Sequence, residues 1–194
     1  MTRADGSVPV QAEIAGEFAA VRATLRDGRS VTMRAIRPED ATAMQDAFSR
    51  LSQEARYSRF MAPLRELSPA MLRRAVRPLA ERERALVAVA DEGAGEIIVG
   101  GARYVRGADG DTCEFAVTIT DGWRGLGLAS SMLRALIRDA RARGLKHMEG
   151  YVLAVNRPML DLARGLGFEV GASDEGPSVK LLRLDLARAC GVGK

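Results

Sequence analysis

The chain has 194 residues, 47% hydrophobic and 28% charged, with a net charge of +4; this suits one globular domain around a single core. No apolar run approaches a membrane span and the N-terminus MTRADGSVPVQ has no apolar signal region, so a cytoplasmic protein away from membranes is expected. Two cysteines, Cys113 and Cys190, form no metal or disulfide pattern, and with His147 as the one histidine neither a zinc site nor a Ser-His-Asp triad is expected.

Residues 1–18 read as a flexible tail, with a short helix over 11–17 as the alternative, and 19–190 as one domain. Asp27-Gly28 between two β-rich runs, 20–26 and 29–36, predicts a hairpin. Pro38-Glu39-Asp40 suits a first helical turn and predicts a helix over 38–51. A second helix fits 53–61, and Ser68-Pro69 starts a third that Pro78 limits. Strands follow over 85–90 and 96–106, separated by a glycine-containing turn.

The arginines from Arg50 to Arg84 outnumber the glutamates around them. They suit solvated helix faces or a docking surface for an acidic partner. No aromatic residues interleave with them in a nucleic-acid-binding pattern, so no nucleic-acid partner is expected.

From Glu114 to Ile119 the residues alternate, with Phe115, Val117 and Ile119 on one face and Glu114, Ala116 and Thr118 on the other, which predicts a strand. From Leu128 the apolar residues fall at Leu128, Met132, Leu133, Leu136, Ile137 and Ala140, which is helical spacing, and Gly144 suits the helix stop. Between them stands Arg124-Gly125-Leu126-Gly127-Leu128-Ala129. A strand that runs through a glycine turn into a helix N-terminus makes a site for phosphate or pyrophosphate. GxxxxGK[ST] and GxGxxG are both absent here, which excludes a P-loop and counts against a dinucleotide fold. A strand over 146–154, a helix over 156–165, and strands at 167–170 and 179–186 complete the chain. The crossover helix makes the strands on either side of it parallel within a mixed sheet.

Arg124-x-x-Gly127-x-Ala129 after a strand resembles the acetyl-CoA pyrophosphate loop of the GNAT N-acetyltransferase superfamily. Asn156, followed by a helix and Leu166-Gly167-Phe168, resembles its second signature. Four stretches are similar to the GNAT domains of bacterial protein-lysine acetyltransferases that act on acyl-CoA synthetases: Arg37-Pro38-Glu39-Asp40, the segment from Leu51 to Phe60, Glu114-Phe115-Ala116-Val117, and Val152 to Met159. The likeness covers about residues 30–186.

The resemblance implies an α/β (α+β) GNAT fold: a mixed twisted sheet of six to seven strands flanked by helices, with a V-shaped splay between strands 114–119 and 146–154. It implies acetyl-CoA as co-substrate, no metal, and direct transfer to an amine, with the ε-amine of a lysine on an acyl-CoA synthetase-type partner as the branch's acceptor. By alignment, Val117 and Ile119 supply backbone contacts to pantetheine. Arg124, Gly125, Gly127, Leu128 and Ala129 surround the pyrophosphate, and Asn156 lies near the pantetheine or thioester while also suiting an N-cap. Tyr57, Arg59 and Phe60 form the acceptor wall or simply pack helix to sheet. Some of these enzymes carry an extra domain that binds a cyclic nucleotide or resembles an acyl-CoA synthetase, and 194 residues are not expected to hold one, so that regulation is not expected to carry over.

An amine with a pKa near 10.4 is mostly protonated at neutral pH, so a general base helps. Glu114 is the candidate: the EFAV glutamate has this role in the branch it resembles, and burial is expected to raise its pKa. The bland alternative for Glu114 is an ion pair with an arginine. Many GNAT enzymes protonate the leaving thiolate with a tyrosine seven residues after the asparagine, where this chain has Ala163. Cys113 reads as a core residue, His147 as structural and Trp123 as packing. The rivals are a small-amine acetyltransferase, for a polyamine, amino acid or antibiotic, and a non-catalytic acyl-CoA-binding module.

Overall fold

The computed structural model describes residues 18–93 and 95–188. The expected tail with its short helix over 11–17, and Cys190, lie outside the described residues, apart from residue 18.

The hairpin forms as β1 (Val21–Thr24) and β2 (Ser30–Ala35). The helix expected over 38–51 opens with a 3₁₀ turn, Pro38–Asp40, before α1 (Ala41–Ser49). Asp40 causes this tight start, because its carboxylate accepts from the Arg37 N–H at 2.7 Å and from both terminal nitrogens of Arg34 at 2.8 Å. Ser52 and Ser68 cap α2 (Gln53–Phe60) and α3 (Pro69–Val76), each side chain accepting from the N–H three residues on.

The strands β3 (Glu83–Asp91), β4 (Glu96–Arg106) and β5 (Thr112–Ile119) make an antiparallel meander. Then come α4 (Leu128–Ala142), β6 (His147–Leu153), α5 (Arg157–Gly165), β7 (Glu169–Ala172) and β8 (Val179–Asp185). The sheet has eight strands in the order β1-β2-β3-β4-β5-β6-β8-β7, more than the six to seven expected, because the short edge strands β1 and β7 pair fully with their neighbours. Only β5 and β6 are parallel, as their crossover helix requires.

Helix α4 buries the six residues that its sequence period selects, from Leu128 to Ala140. They pack on one sheet face with Phe115, Ile119 and the α5 residues Leu160 and Ala163. The other face carries α1 over Val87, Val89 and Ile98. Among the described residues no helix is long and apolar enough to cross a membrane.

Parallel pairing between β5 and β6 covers three positions, Thr112 to Glu114 against His147 to Glu149, and then stops. Beyond it the strands part in the expected V. A Cβ placed at Gly150 would lie 2.6 Å from the Phe115 ring, so the missing side chain admits that ring between the diverging strands. Phe115 is held from behind by Phe168, with ring centroids 5.2 Å apart.

Candidate active site

A cleft of about 530 Å³ occupies the opening between β5 and β6 and reaches the N-terminus of α4. Val117 and Ile119 line it along the unpaired part of β5. Arg124, Gly125, Gly127 and Ala129 line its far end, and Asn156 its α5 side. The structure thus brings together seven of the eight residues expected at the cofactor. The eighth, Leu128, has its side chain in the core at 1% exposure, so only its backbone can face a ligand.

The loop takes its shape from its glycines. Gly125 has φ +74 and Gly127 φ +90, a region in which a Cβ is strained by about 1–2 kcal/mol. Gly127 is the N-cap of α4 and its carbonyl accepts from Ser131, so the first amides of the helix lie free at the cleft. Their partial positive charge favours a phosphate there.

Arg124 is held in place by an ion pair with Asp121 at 2.8 Å and by Nε donating to the Ile119 carbonyl at 3.4 Å. Asp121 also accepts from the Ser52 N–H at 2.9 Å, which ties the start of α2 to the loop. The β1–β2 hairpin supports the loop from outside. The Arg29 guanidinium lies 3.9 Å from the Trp123 ring centroid and donates to the Gly122 carbonyl at 2.9 Å. Trp123 packs against the core and under Arg29, as expected, and it also lines the cleft.

The hairpin also delivers a cation that sequence reasoning missed. The Arg26 N–H donates to the Leu126 carbonyl at 3.3 Å, and the side chain lines the cleft with Nε 3.7 Å from where a Gly127 Cβ would sit. No sequence spacing connects Arg26 to the loop almost a hundred residues later. Asn156 is the N-cap, its side chain accepting from the Met159 N–H at 3.3 Å, and it lines the cleft.

Glu114 stands at the last paired position, where β5 leaves β6. The expected burial is not found: Glu114 is exposed and borders the cleft rather than lining it, because its neighbours on that face are the small Ala116 and Thr118. The arginine ion pair that would make it structural is also not found. Among the described residues no hydrogen bond or ion pair holds its carboxylate. Its register partner Glu149 is paired instead, with Arg183 at 3.3 Å.

Arg59 of α2 is close enough to Glu114 to feel its charge. Burial, and then repulsion from Arg103, lower the Arg59 guanidinium to about 10, with Glu114 opposing the shift. The three acceptor-wall candidates separate here. Arg59 lines the cleft, Phe60 packs edge-on against Phe48 at 5.7 Å, and Tyr57 is exposed and lines neither the cleft nor the neighbouring cavity.

Two further residues at the cleft were missed, Glu54 and Tyr151. The alternation of β6 puts Tyr151 on the face of Glu149 and was the signal available for it. Burial and then the charges of Glu114 and Glu149 raise the Tyr151 phenol above its ordinary value. Ala163 is fully buried under the cleft wall, and a tyrosine would not fit there without repacking. Cys113 is buried in the core, and burial pushes its thiol up to about 12.

The profile of the acetyltransferase (GNAT) domain matches residues 30–169. An acetyltransferase of Pseudomonas aeruginosa is 37% identical over 159 residues, 82% of this chain and 85% of its own length. A Pseudomonas aeruginosa L-methionine sulfoximine/L-methionine sulfone acetyltransferase is 39% identical over 88 residues, 43% of this chain and 51% of that protein. Among solved structures, the GNAT domain of S. lividans PAT has a TM-score of 0.78 at 28% identity, covering 86% of this chain and 96% of that one. The fold is shared with yncA of Salmonella typhimurium, solved with its cofactor acetyl-CoA, at a TM-score of 0.61 and 22% identity over 80% of this chain and 94% of that one. A strand that splays at Glu114, a glycine loop at a helix N-terminus and these matches agree, and the chain belongs to the GNAT acetyltransferase family.

Proposed function

We propose that the chain moves the acetyl group of acetyl-CoA directly to a primary amine in a ternary complex, with Glu114 as general base. The unpaired Glu114 carboxylate at the mouth of the splay supports this most directly. Glu114 removes a proton from the ammonium and the free amine attacks the thioester carbonyl. The C–N bond forms, the attached nitrogen gives up its second proton to water at the cleft mouth, and the C–S bond breaks with CoA leaving as the thiolate. A backbone N–H of the unpaired β5 segment stabilises the oxyanion, a contribution of about 3 kcal/mol. The Tyr151 phenol, kept protonated, returns a proton to the CoA thiolate and regains one from the water it is exposed to.

Pantetheine lies along Val117 and Ile119, and the pyrophosphate takes Arg124, Arg26 and the amides that start α4. The branch motifs, together with the likeness to the S. lividans domain, support a protein lysine as acceptor, with an acyl-CoA synthetase-type protein as the partner. A small amine is the second reading. It is favoured by an apolar cavity beside the cleft and by the likeness to the acetyltransferase of methionine derivatives.

Thiol release from acetyl-CoA tests the mechanism. Glu114→Gln is expected to lower turnover at least about tenfold with acetyl-CoA affinity unchanged. Undiminished turnover would remove Glu114 as the base. Offering an acyl-CoA synthetase, polyamines and free amino acids in separate reactions decides the acceptor.

A further inference from the structure

A second cavity of about 340 Å³ lies on the opposite face of the sheet from α4, enclosed by α1, α2, α3 and the strands β3 to β5. Its walls are almost entirely apolar, with Phe48, Leu51, Phe60, Met71 and Ile98 around it. Its floor is made of small residues. Gly101, paired with Thr118 across β4 and β5, would send a Cβ into open space, with nothing within 4 Å. The size falls at the lower end of ligand pockets, about 300–1,000 Å³. An apolar space of this size has few partners for water and is costly to leave empty.

The cavity continues the acetyl-transfer cleft. Arg59, Ala116 and Thr118 line both, and Glu114 lies on the same face of β5 two residues from Ala116. The guanidinium groups at the junction are not equally matched. Arg74 and Arg103 share one carboxylate, Glu83, at 3.5 and 2.6 Å. Arg59 has no carboxylate in hydrogen-bonding contact among the described residues, although it is partly buried and has a like charge, Arg103, near it. Arg74 is largely exposed to solvent and Arg103 is matched by Glu83, so Arg59 is the guanidinium at the junction left without a direct carboxylate partner among the described residues.

We infer that this cavity is the acceptor pocket for a free α-amino acid with an apolar side chain: the side chain enters the cavity, the carboxylate pairs with Arg59, and the α-amine faces Glu114. The inference rests on the proposed amine acetylation and names its substrate class. A carboxylate at Arg59 gives that guanidinium a direct partner, bound in two-pronged geometry. The amine and carboxylate of an amino acid share one carbon, so a group held at Arg59 brings its nitrogen to the neighbouring base.

Thiol release is measured with L-leucine, L-methionine and L-phenylalanine, with L-leucinamide and isopentylamine as carboxylate-free counterparts, and with spermidine and a lysine-containing peptide. The apolar amino acids are expected to exceed their carboxylate-free counterparts at least about tenfold in kcat/KM. Gly101→Leu fills the floor and is expected to lower kcat/KM for these amino acids at least about tenfold, mostly through KM, with acetyl-CoA affinity unchanged. Arg59→Gln is expected to reduce the preference for leucine over leucinamide to about twofold or less, and this arm decides if Gly101→Leu does not bind acetyl-CoA.

Equal turnover of leucine and leucinamide by the wild type, or an unaltered kcat/KM in a folded Gly101→Leu, overturns the pocket while amine acetylation stands. Turnover confined to spermidine or the peptide does the same. Acetyl-CoA binding without thiol release from any acceptor overturns the acetylation reading itself, and the pocket with it.

Discussion

Cys113 and Glu114 are neighbours with opposite chemistry, because a strand sends consecutive side chains to opposite faces. Cys113 lies in the core, where burial pushes its thiol up to about 12, so it stays a neutral thiol across the working pH range and is no nucleophile. In a Cys190→Ser background the native protein is expected not to react with a thiol reagent at pH 8 and to react once unfolded. Cys113→Ala is expected to keep turnover within about twofold. Glu114 meets solvent at the point where its strand loses a partner. Arg26 contributes a charge that only the folded hairpin brings to the loop. Arg26→Ala is expected to weaken acetyl-CoA binding roughly tenfold, less so at high salt, as titration calorimetry at two ionic strengths would show.

The element on which the proposed cofactor site rests is the turn from β5 into α4. Its two left-handed glycines aim the first amides of the helix at the cleft, and a side chain at either position strains the turn and fills the space. Gly127→Trp is expected to raise the acetyl-CoA dissociation constant at least about tenfold with the fold retained. Normal binding by that variant would refute the loop assignment. Helix α2 is joined to the same turn through Ser52, whose side chain caps the helix and whose N–H reaches Asp121. Ser52→Ala loses the cap, an effect of about 1 kcal/mol, so the melting temperature is expected to fall by roughly 2–4 °C.

At the scale of the whole molecule, stability has an acid-sensitive anchor where β2 meets α1. Arg34 and Asp40 form a two-pronged pair, both side chains 9% exposed. Burial opposes ionisation of Asp40, but the hydrogen bonds from the Arg34 side chain and the Arg37 N–H outweigh it and hold the carboxyl below its ordinary value. A depressed carboxyl contributes stability that is fully present above its unfolded pKa, about 3.9, and is lost as pH falls through the folded value. Thermal melts are therefore expected to show Asp40 stabilising the protein at pH 7 and losing that contribution below about pH 4. Asp40→Ala leaves Arg34 buried with only the exposed Glu96, 3.4 Å away, and is expected to cost about 3 kcal/mol at neutral pH. The gap between wild type and variant should narrow in acid.

The sequence by itself determined the elements and the glycine turn. The alternation of β5, the six-residue apolar stripe of α4 and the glycines at 125 and 127 are local patterns that backbone geometry reads directly. The family signatures were legible for the same reason, since each sits within one turn or one helix start. Only the tertiary structure decided how β5 leaves β6, because that depends on Phe115 finding no side chain at Gly150. It also decided that Glu114 is exposed, that Arg26 reaches the glycine loop, and that α1 to α3 leave a hollow over Gly101. Each of these depends on residues far apart in the chain, and the distances between them exist only once the sheet has formed.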